Sequence, residues 1–120
     1  MKIVFYCQHV LGIGHFFRAL EICRALSDHE VTLVTGGDTV DVKLPGHVRH
    51  AALPGLMMDP EFSTLFPVDG TLSLETVQTS RRERLFSLFD ELRPDLFLVE
   101  LYPFGRKAFS FELEPLLAAV

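Results

Sequence analysis

A histidine follows two closely spaced glycines near the start of the chain. Gly12, Gly14 and His15 lie in the stretch HVLGIGHFFRAL, residues 9–20. Glycines let the backbone turn sharply and approach a ligand, and the free N–H groups of a first helical turn favour an anion. The positive end of the helix dipole also favours the neutral imidazole of His15, which can accept a proton. The stretch therefore predicts a site where His15 activates an alcohol for attack on a phosphate-linked centre.

An acidic residue that could assist His15 closes the apolar run DLFLVE, residues 95–100. Glu100 could orient the imidazole through a ring nitrogen, as carboxylates do in acid–base dyads. Plainer alternatives remain open for both residues. His15 could cap a helix or bond a neighbouring carbonyl, and Glu100 could pair with Arg106 or Lys107. Asp38, after VTGG, has a similar but weaker claim.

Strands and helices alternate along the chain, and this alternation predicts how the candidate residues are positioned. Short apolar runs at 2–8, 30–37, 47–53 and 95–100 are typical of buried strands, and helical periodicity marks 15–29, 72–94 and a segment from Arg106. Ser73 is the expected N-cap of the second helix, and Pro94 ends it. The pattern predicts an α/β, Rossmann-like parallel sheet with helices on both faces. Ligands bind such sheets where parallel strands end, near the switch in strand order. If the first and last strands are neighbours, the turns after them face each other.

Two further segments carry specific expectations. Residues 54–70 combine turn residues with scattered apolar ones and are predicted to form a long, partly ordered loop. Helical spacing places five residues on the inner side of the second helix: Val77, Arg81, Leu85, Leu88 and Leu92. Phe17 falls on the polar side of the first helix, so it either lines a ligand site or is covered by another part of the protein.

Composition limits the class of protein. The chain has 120 residues, 48% of them hydrophobic, and a formal net charge of −5. These values predict one soluble domain and argue against a nucleic-acid surface. Cys7 and Cys23 lack metal-ligand spacing and are expected to be buried reduced thiols, as in a cytoplasmic protein, so no metal site is predicted. The N-terminal apolar stretch is too short to span a bilayer, although peripheral membrane contact stays open.

Common nucleotide-binding motifs do not fit the glycine turn. The dinucleotide fingerprint needs a third glycine where Phe17 stands, and that side chain would block close packing of helix on strand. No Gly-Lys-Ser/Thr follows the glycines, so the turn is not a P-loop. We therefore predict no bound cofactor.

The ordered segments KIVFYCQHVLGIGHFFRALEICRAL, LVTGG, LPGL and RPDLFLVELYPFGRKAFSFEL resemble the start of a glycosyltransferase of the GT-B fold. The chain is similar to a bacterial group related to MurG and, more distantly, to the UDP-glycosyltransferases. The resemblance implies two Rossmann-like domains, of which residues 1–120 form the N-terminal, acceptor-side one. The missing C-terminal domain would bind the nucleotide-sugar. The apolar ending LEPLLAAV agrees with a fragment, and the isolated chain is expected to be nearly inactive.

The resemblance also implies roles for particular residues. His15 matches the histidine that deprotonates the acceptor hydroxyl, and Glu100 stands where plant-type members have a supporting aspartate. Substrate contacts are expected from seven positions: Gly12, Gly14, Phe17, Arg18, Gly36, Gly37 and Tyr102. The reaction would transfer a sugar to a small-molecule acceptor without a metal. Leu65 and Phe66 could meet a lipid carrier or the missing domain.

Two other functions remain open from the sequence. One is a stand-alone α/β module that captures a small anion at the glycine turn. The other is a domain of a sugar-nucleotide epimerase, because proteins of one fold carry out different reactions.

Overall fold

The computed structural model describes residues 1–8, 14–37, 43–58, 64–100 and 109–119. In chain order the elements are β1 (Lys2–Cys7), α1 (Gly14–Ala25), β2 (Glu30–Thr35), β3 (Val48–Ala52), β4 (Leu56–Met58), β5 (Leu65–Pro67), α2 (Leu74–Leu92), β6 (Leu96–Glu100) and α3 (Ser110–Ala119). Four of the strands form a parallel sheet in the order β3-β2-β1-β6. The predicted Rossmann-like α/β fold is confirmed.

The core has two parts, one on each face of the sheet. Alternate residues of β1 explain this, because successive strand side chains point to opposite faces. Ile3 and Phe5 pack in the cluster that includes the α1 residues Phe16 and Leu20. Val4 and Tyr6 belong to the cluster with residues of α2 and α3, among them Leu85, Leu88, Leu113 and Leu116. Helices therefore cover both faces, as predicted.

Local signals fix the ends of α2. The Ser73 side chain accepts a hydrogen bond from the Thr76 backbone N–H, at 3.1 Å, and caps the helix start. The helix ends at Leu92, where Arg93 adopts a left-handed conformation with φ of 46° and Pro94 follows. The predicted N-cap and stop are both confirmed.

The predicted loop over residues 54–70 is wrong in part, because its described residues include an antiparallel hairpin. β4 and β5 pair through Leu56↔Pro67, Met57↔Phe66 and Met58↔Leu65. Leu56 and Met58 are buried in the core on one side, while Phe66 stays exposed. Three-residue strands are too short to show periodicity, and a proline argues against a strand unless it is at an edge.

None of the helices among the described residues has the length and apolar character needed to span a bilayer.

Candidate functional site

The strand order reverses between β1 and β6, and this reversal locates the candidate site. In the sheet, β2 and then β3 lie on one side of β1, whereas β6 pairs with β1 on the other side. Cys7 and Glu100 are register partners at the ends of their strands. The first and last strands are thus neighbours, as the sequence-based argument required. We call the edge where β1, β2, β3 and β6 end the carboxyl edge; ligands bind at such a switch point in open α/β sheets.

The two predicted acid–base residues belong to this same edge. Gly14 and His15 are the first residues of α1, which follows β1, and Glu100 is the last residue of β6. The fold thus places the backbone positions of His15 and Glu100 next to the switch point. A hydrogen bond between their side chains stays a prediction.

The remaining predicted substrate contacts have different outcomes. Phe17 is 41% exposed on α1 and packs edge-to-face on Phe16, so its predicted position on the polar side is confirmed. Arg18 is also exposed. Gly36 and Gly37 follow β2 at the carboxyl edge. Gly12 and Tyr102 lie outside the described residues, as do Asp38, Arg106 and Lys107.

A buried charged cluster lies beneath the carboxyl edge, and we call Arg81, Glu112, Tyr6 and Gln8 the Arg81 cluster. Arg81 and Glu112 are both completely buried. Arg81 Nε donates to Glu112 Oε2 at 2.8 Å, and Nη2 donates to Oε1 at 2.7 Å. The pairing is bidentate because the two donors of a guanidinium match the two oxygens of a carboxylate. It joins α2, which carries Arg81, to α3, which carries Glu112. Helical spacing predicted the inward position of Arg81, but not its partners.

The rest of the Arg81 guanidinium bonds to the ends of the strands. Nη1 donates to the carbonyl oxygens of Gly36, at 2.8 Å, and Pro54, at 3.0 Å. Nη2 also donates to Gln8 Oε1 at 2.7 Å. These acceptors follow β2, β3 and β1 respectively. One buried side chain therefore connects three strand ends and α3.

The protonation states within the cluster follow from burial and charge. Burial, reinforced by the negative charge of Glu112, raises the pKa of Tyr6 well above its usual value. The Tyr6 hydroxyl therefore keeps its proton and donates a hydrogen bond to Glu112 Oε1. Burial is the largest single influence on Arg81 and lowers its pKa, but the hydrogen bonds and charges of Glu112 and Tyr6 together outweigh burial, and the pKa is raised. A neutral tyrosine thus sits beside a charged arginine–glutamate pair.

The glycine at position 36 is required by this packing. A Cβ there would lie 2.6 Å from Arg81 Nη2 and closer still to Nη1 and Gln8 Oε1. Moving the guanidinium away would break its buried hydrogen bonds to the Gly36 carbonyl and to Glu112, which costs free energy. Packing therefore accounts for Gly36 without a ligand, and its predicted contact with substrate remains a prediction.

We expect Gly36→Ala to lower the free energy of unfolding by about 1–3 kcal/mol, the usual cost of overpacking. Urea unfolding followed by circular dichroism measures the change. Gly46→Ala is the matched control, because a Cβ there meets nothing within 4 Å; it should change stability by less than about 0.5 kcal/mol. Equal stability of Gly36→Ala and the control would contradict the described contact with Arg81.

The β4–β5 hairpin is attached to the carboxyl edge by backbone and side-chain bonds. The Leu56 N–H donates to the Gly36 carbonyl at 2.7 Å, and Gln8 Nε2 donates to the Leu56 carbonyl at 3.0 Å. The Val68 N–H donates to the Gly55 carbonyl at 3.0 Å. Met57 and Phe66, a cross-strand pair, project from the hairpin's outer side, which is less buried. The hairpin therefore borders the candidate site.

Of the two cysteines, Cys7 ends β1 at the carboxyl edge, whereas Cys23 lies within α1. Cys7 and Cys23 are buried and form no disulfide, as predicted. Burial raises the pKa of Cys23 to about 11, which disfavours the reactive thiolate. Within the part of the chain that the structure describes, no group of three His, Cys, Asp or Glu side chains could hold a metal ion.

Comparison with solved structures finds this fold in a plant enzyme. The chain superposes on Phytolacca americana UGT2 complexed with UDP-2-fluoro-glucose and pterostilbene, with a TM-score of 0.54 at 20% identity. The apo form of UGT2 gives the same TM-score at 23% identity. The match covers 94% of this chain but only 28% and 27% of the UGT2 chains. No protein-family model and no curated protein matches the sequence.

Proposed function

We propose that this chain is the acceptor-side part of a glycosyltransferase that moves a sugar from a nucleotide-sugar to an acceptor hydroxyl. One observation carries the proposal: the switch between β1 and β6 brings the start of α1 and the end of β6 to one edge. His15 and Glu100 belong to those two ends. The fold shared with UGT2 supports this assignment, and the chain spans about a quarter of that enzyme's length.

The proposed chemistry is a displacement at the anomeric carbon of the donor sugar. His15 takes the proton of the acceptor hydroxyl as its oxygen forms the new bond to that carbon. The bond between the carbon and the diphosphate oxygen breaks, and the diphosphate leaves with the electron pair. Glu100 holds the imidazole in orientation and stabilises its protonated form.

The donor is proposed to bind mainly to a separate nucleotide-binding part, the partner of this chain. UGT2 is described with UDP-2-fluoro-glucose and pterostilbene together. By analogy, a small hydroxylated acceptor would lie at the carboxyl edge of this chain, beside the β4–β5 hairpin. No cofactor and no metal enter the proposed step. The specific relation to MurG remains a prediction.

The first test is an NMR titration of this chain with pterostilbene as acceptor probe, then with UDP-glucose and UDP. We expect shifts from pterostilbene at residues 12–17 and 100–105, and smaller shifts from the nucleotides at the same turns. NAD is the negative control and should leave these resonances unchanged, because the dinucleotide fingerprint is absent.

The opposite edge of the sheet provides an internal reference for this titration. Lys2, His29 and Asp95 lie at the ends of elements away from the carboxyl edge and should not shift. Shifts confined to those residues would contradict the proposed site. Tight binding of NAD would instead assign the chain to oxidoreduction and overturn the glycosyltransferase proposal.

A further inference from the structure

The Arg81 cluster makes more bonds to the carboxyl edge than the joining of two helices requires. A bond from α2 to α3 needs only Arg81 and Glu112. The guanidinium also bonds to Gly36, Pro54 and Gln8, so each of its three nitrogens donates to buried acceptors. Burying charged groups costs free energy. A core with apolar residues of similar volume in place of a buried ion pair is often equally stable or more stable. The guanidinium, unlike an apolar side chain, fixes the relative positions of the segments that follow β1, β2 and β3 at the carboxyl edge.

We propose that Arg81 and Gln8 are positioning residues for the site at the carboxyl edge. This inference rests on the proposed function, because it concerns the same site. Arg81 sets the separation between the ends of β1 and β2 through Gln8 and the Gly36 carbonyl. It acts on a ligand through these groups, not by contact, since Arg81 is completely buried.

Gln8 transmits this position to two neighbouring segments. Its Oε1 accepts from Arg81, and its Nε2 donates to the Leu56 carbonyl at the start of β4. The Leu56 N–H in turn donates to Gly36, which closes a ring of bonds through Arg81. Gln8 also stands directly before residues 9–13, which lead to His15. A shift of Gln8 therefore moves the hairpin and, through Leu56, the segment at Gly36 that follows β2.

The test is Gln8→Met, which removes the described bonds to Arg81 and Leu56 but keeps a side chain of similar length in a buried position. We expect the amide resonances of Gly36, Gly37 and Leu56 to shift. Hydrogen exchange of the Leu56 amide should become at least 10-fold faster. The affinity for pterostilbene should fall at least 10-fold at unchanged folded fraction, because the edge no longer has its binding geometry.

Leu116→Val is the matched control, because Leu116 is fully buried but lines a groove with Pro94 and Asp95 at the opposite end of β6. It should lower thermal stability without moving the Gly36 and Leu56 resonances or the affinity. If Gln8 had only a structural role, Gln8→Met and Leu116→Val would show the same Gly36 and Leu56 resonances and the same affinity for pterostilbene when compared at equal stability. That result would overturn the proposal.

Failure of the proposed function has a different signature. If Gln8→Met displaces the strand ends as expected but the wild-type chain binds none of the probes, the positioning role stands and the proposed function fails. If the wild type binds pterostilbene at the carboxyl edge and Gln8→Met leaves both resonances and affinity unchanged, the positioning role is wrong and the proposed function stands.

Discussion

Replacement of Arg81 by methionine is expected to lower the free energy of unfolding by about 3–5 kcal/mol, the usual cost of breaking a buried ion pair. Glu112 would remain as a buried carboxylate without its cation, and the Gly36 and Pro54 carbonyls would lose a donor. Domains of this size have about 5–15 kcal/mol of stability in total. The variant should therefore unfold at a much lower urea concentration, measured by circular dichroism.

Two comparisons isolate the cause of that loss. Arg84→Met, one turn along the same helix at an exposed position, should change stability by less than about 0.5 kcal/mol. The double substitution Arg81→Met with Glu112→Leu should be more stable than Arg81→Met alone, because it removes the orphaned carboxylate. If Arg81→Met lost no more stability than Arg84→Met, the guanidinium could not be buried and bonded as described.

The general architecture was predictable because it rests on local patterns. Short buried runs alternating with helical periodicity led to the parallel sheet, and the same alternation led to helices on both faces. The adjacency of β1 and β6 was stated only as a condition. It could not be derived, because strand order depends on how helices pack across the sheet, and no local pattern records that packing.

Arg81 shows where sequence reasoning reached its limit. Helical spacing put it on the inner side of α2 together with Leu85 and Leu88, and all three are buried. Its partner Glu112 is 31 residues further along the chain, and Gln8 is 73 residues before it. Pairings at such separations arise from tertiary packing. The only signal available was an arginine in an otherwise apolar stripe, which requires a buried acceptor.

The hairpin was missed for a different reason. Its strands have three residues each, Pro67 lies in one of them, and Pro54 and Gly55 precede the other. Every one of these features is also typical of a loop. What makes the strands form is the anchoring of Leu56 to Gly36 and Gln8 together with the burial of Met58. The hairpin therefore depends on the sheet edge beneath it, and its own residues carry little strand signal.

In the proposed glycosyltransferase, His15→Ala is expected to lower the rate of sugar transfer by about 10²–10⁴-fold, the usual contribution of a general base. The acceptor hydroxyl would then lose its proton only to solvent. Alanine is a good helix former, so α1 should still begin at its present residue. Turnover at saturating donor and acceptor measures the loss, and thermal unfolding checks the fold.

His29→Ala is the matched control, since His29 lies between α1 and β2 at the opposite edge of the sheet. Its turnover should equal that of the wild type. Glu100→Gln should give an intermediate loss, because a neutral amide can still orient the imidazole but cannot stabilise its positive charge. A rate for His15→Ala within a few-fold of the control would remove His15 as the base. His15 would then serve to cap the helix or to bond a neighbouring carbonyl, and the proton would pass to another acceptor at the switch point.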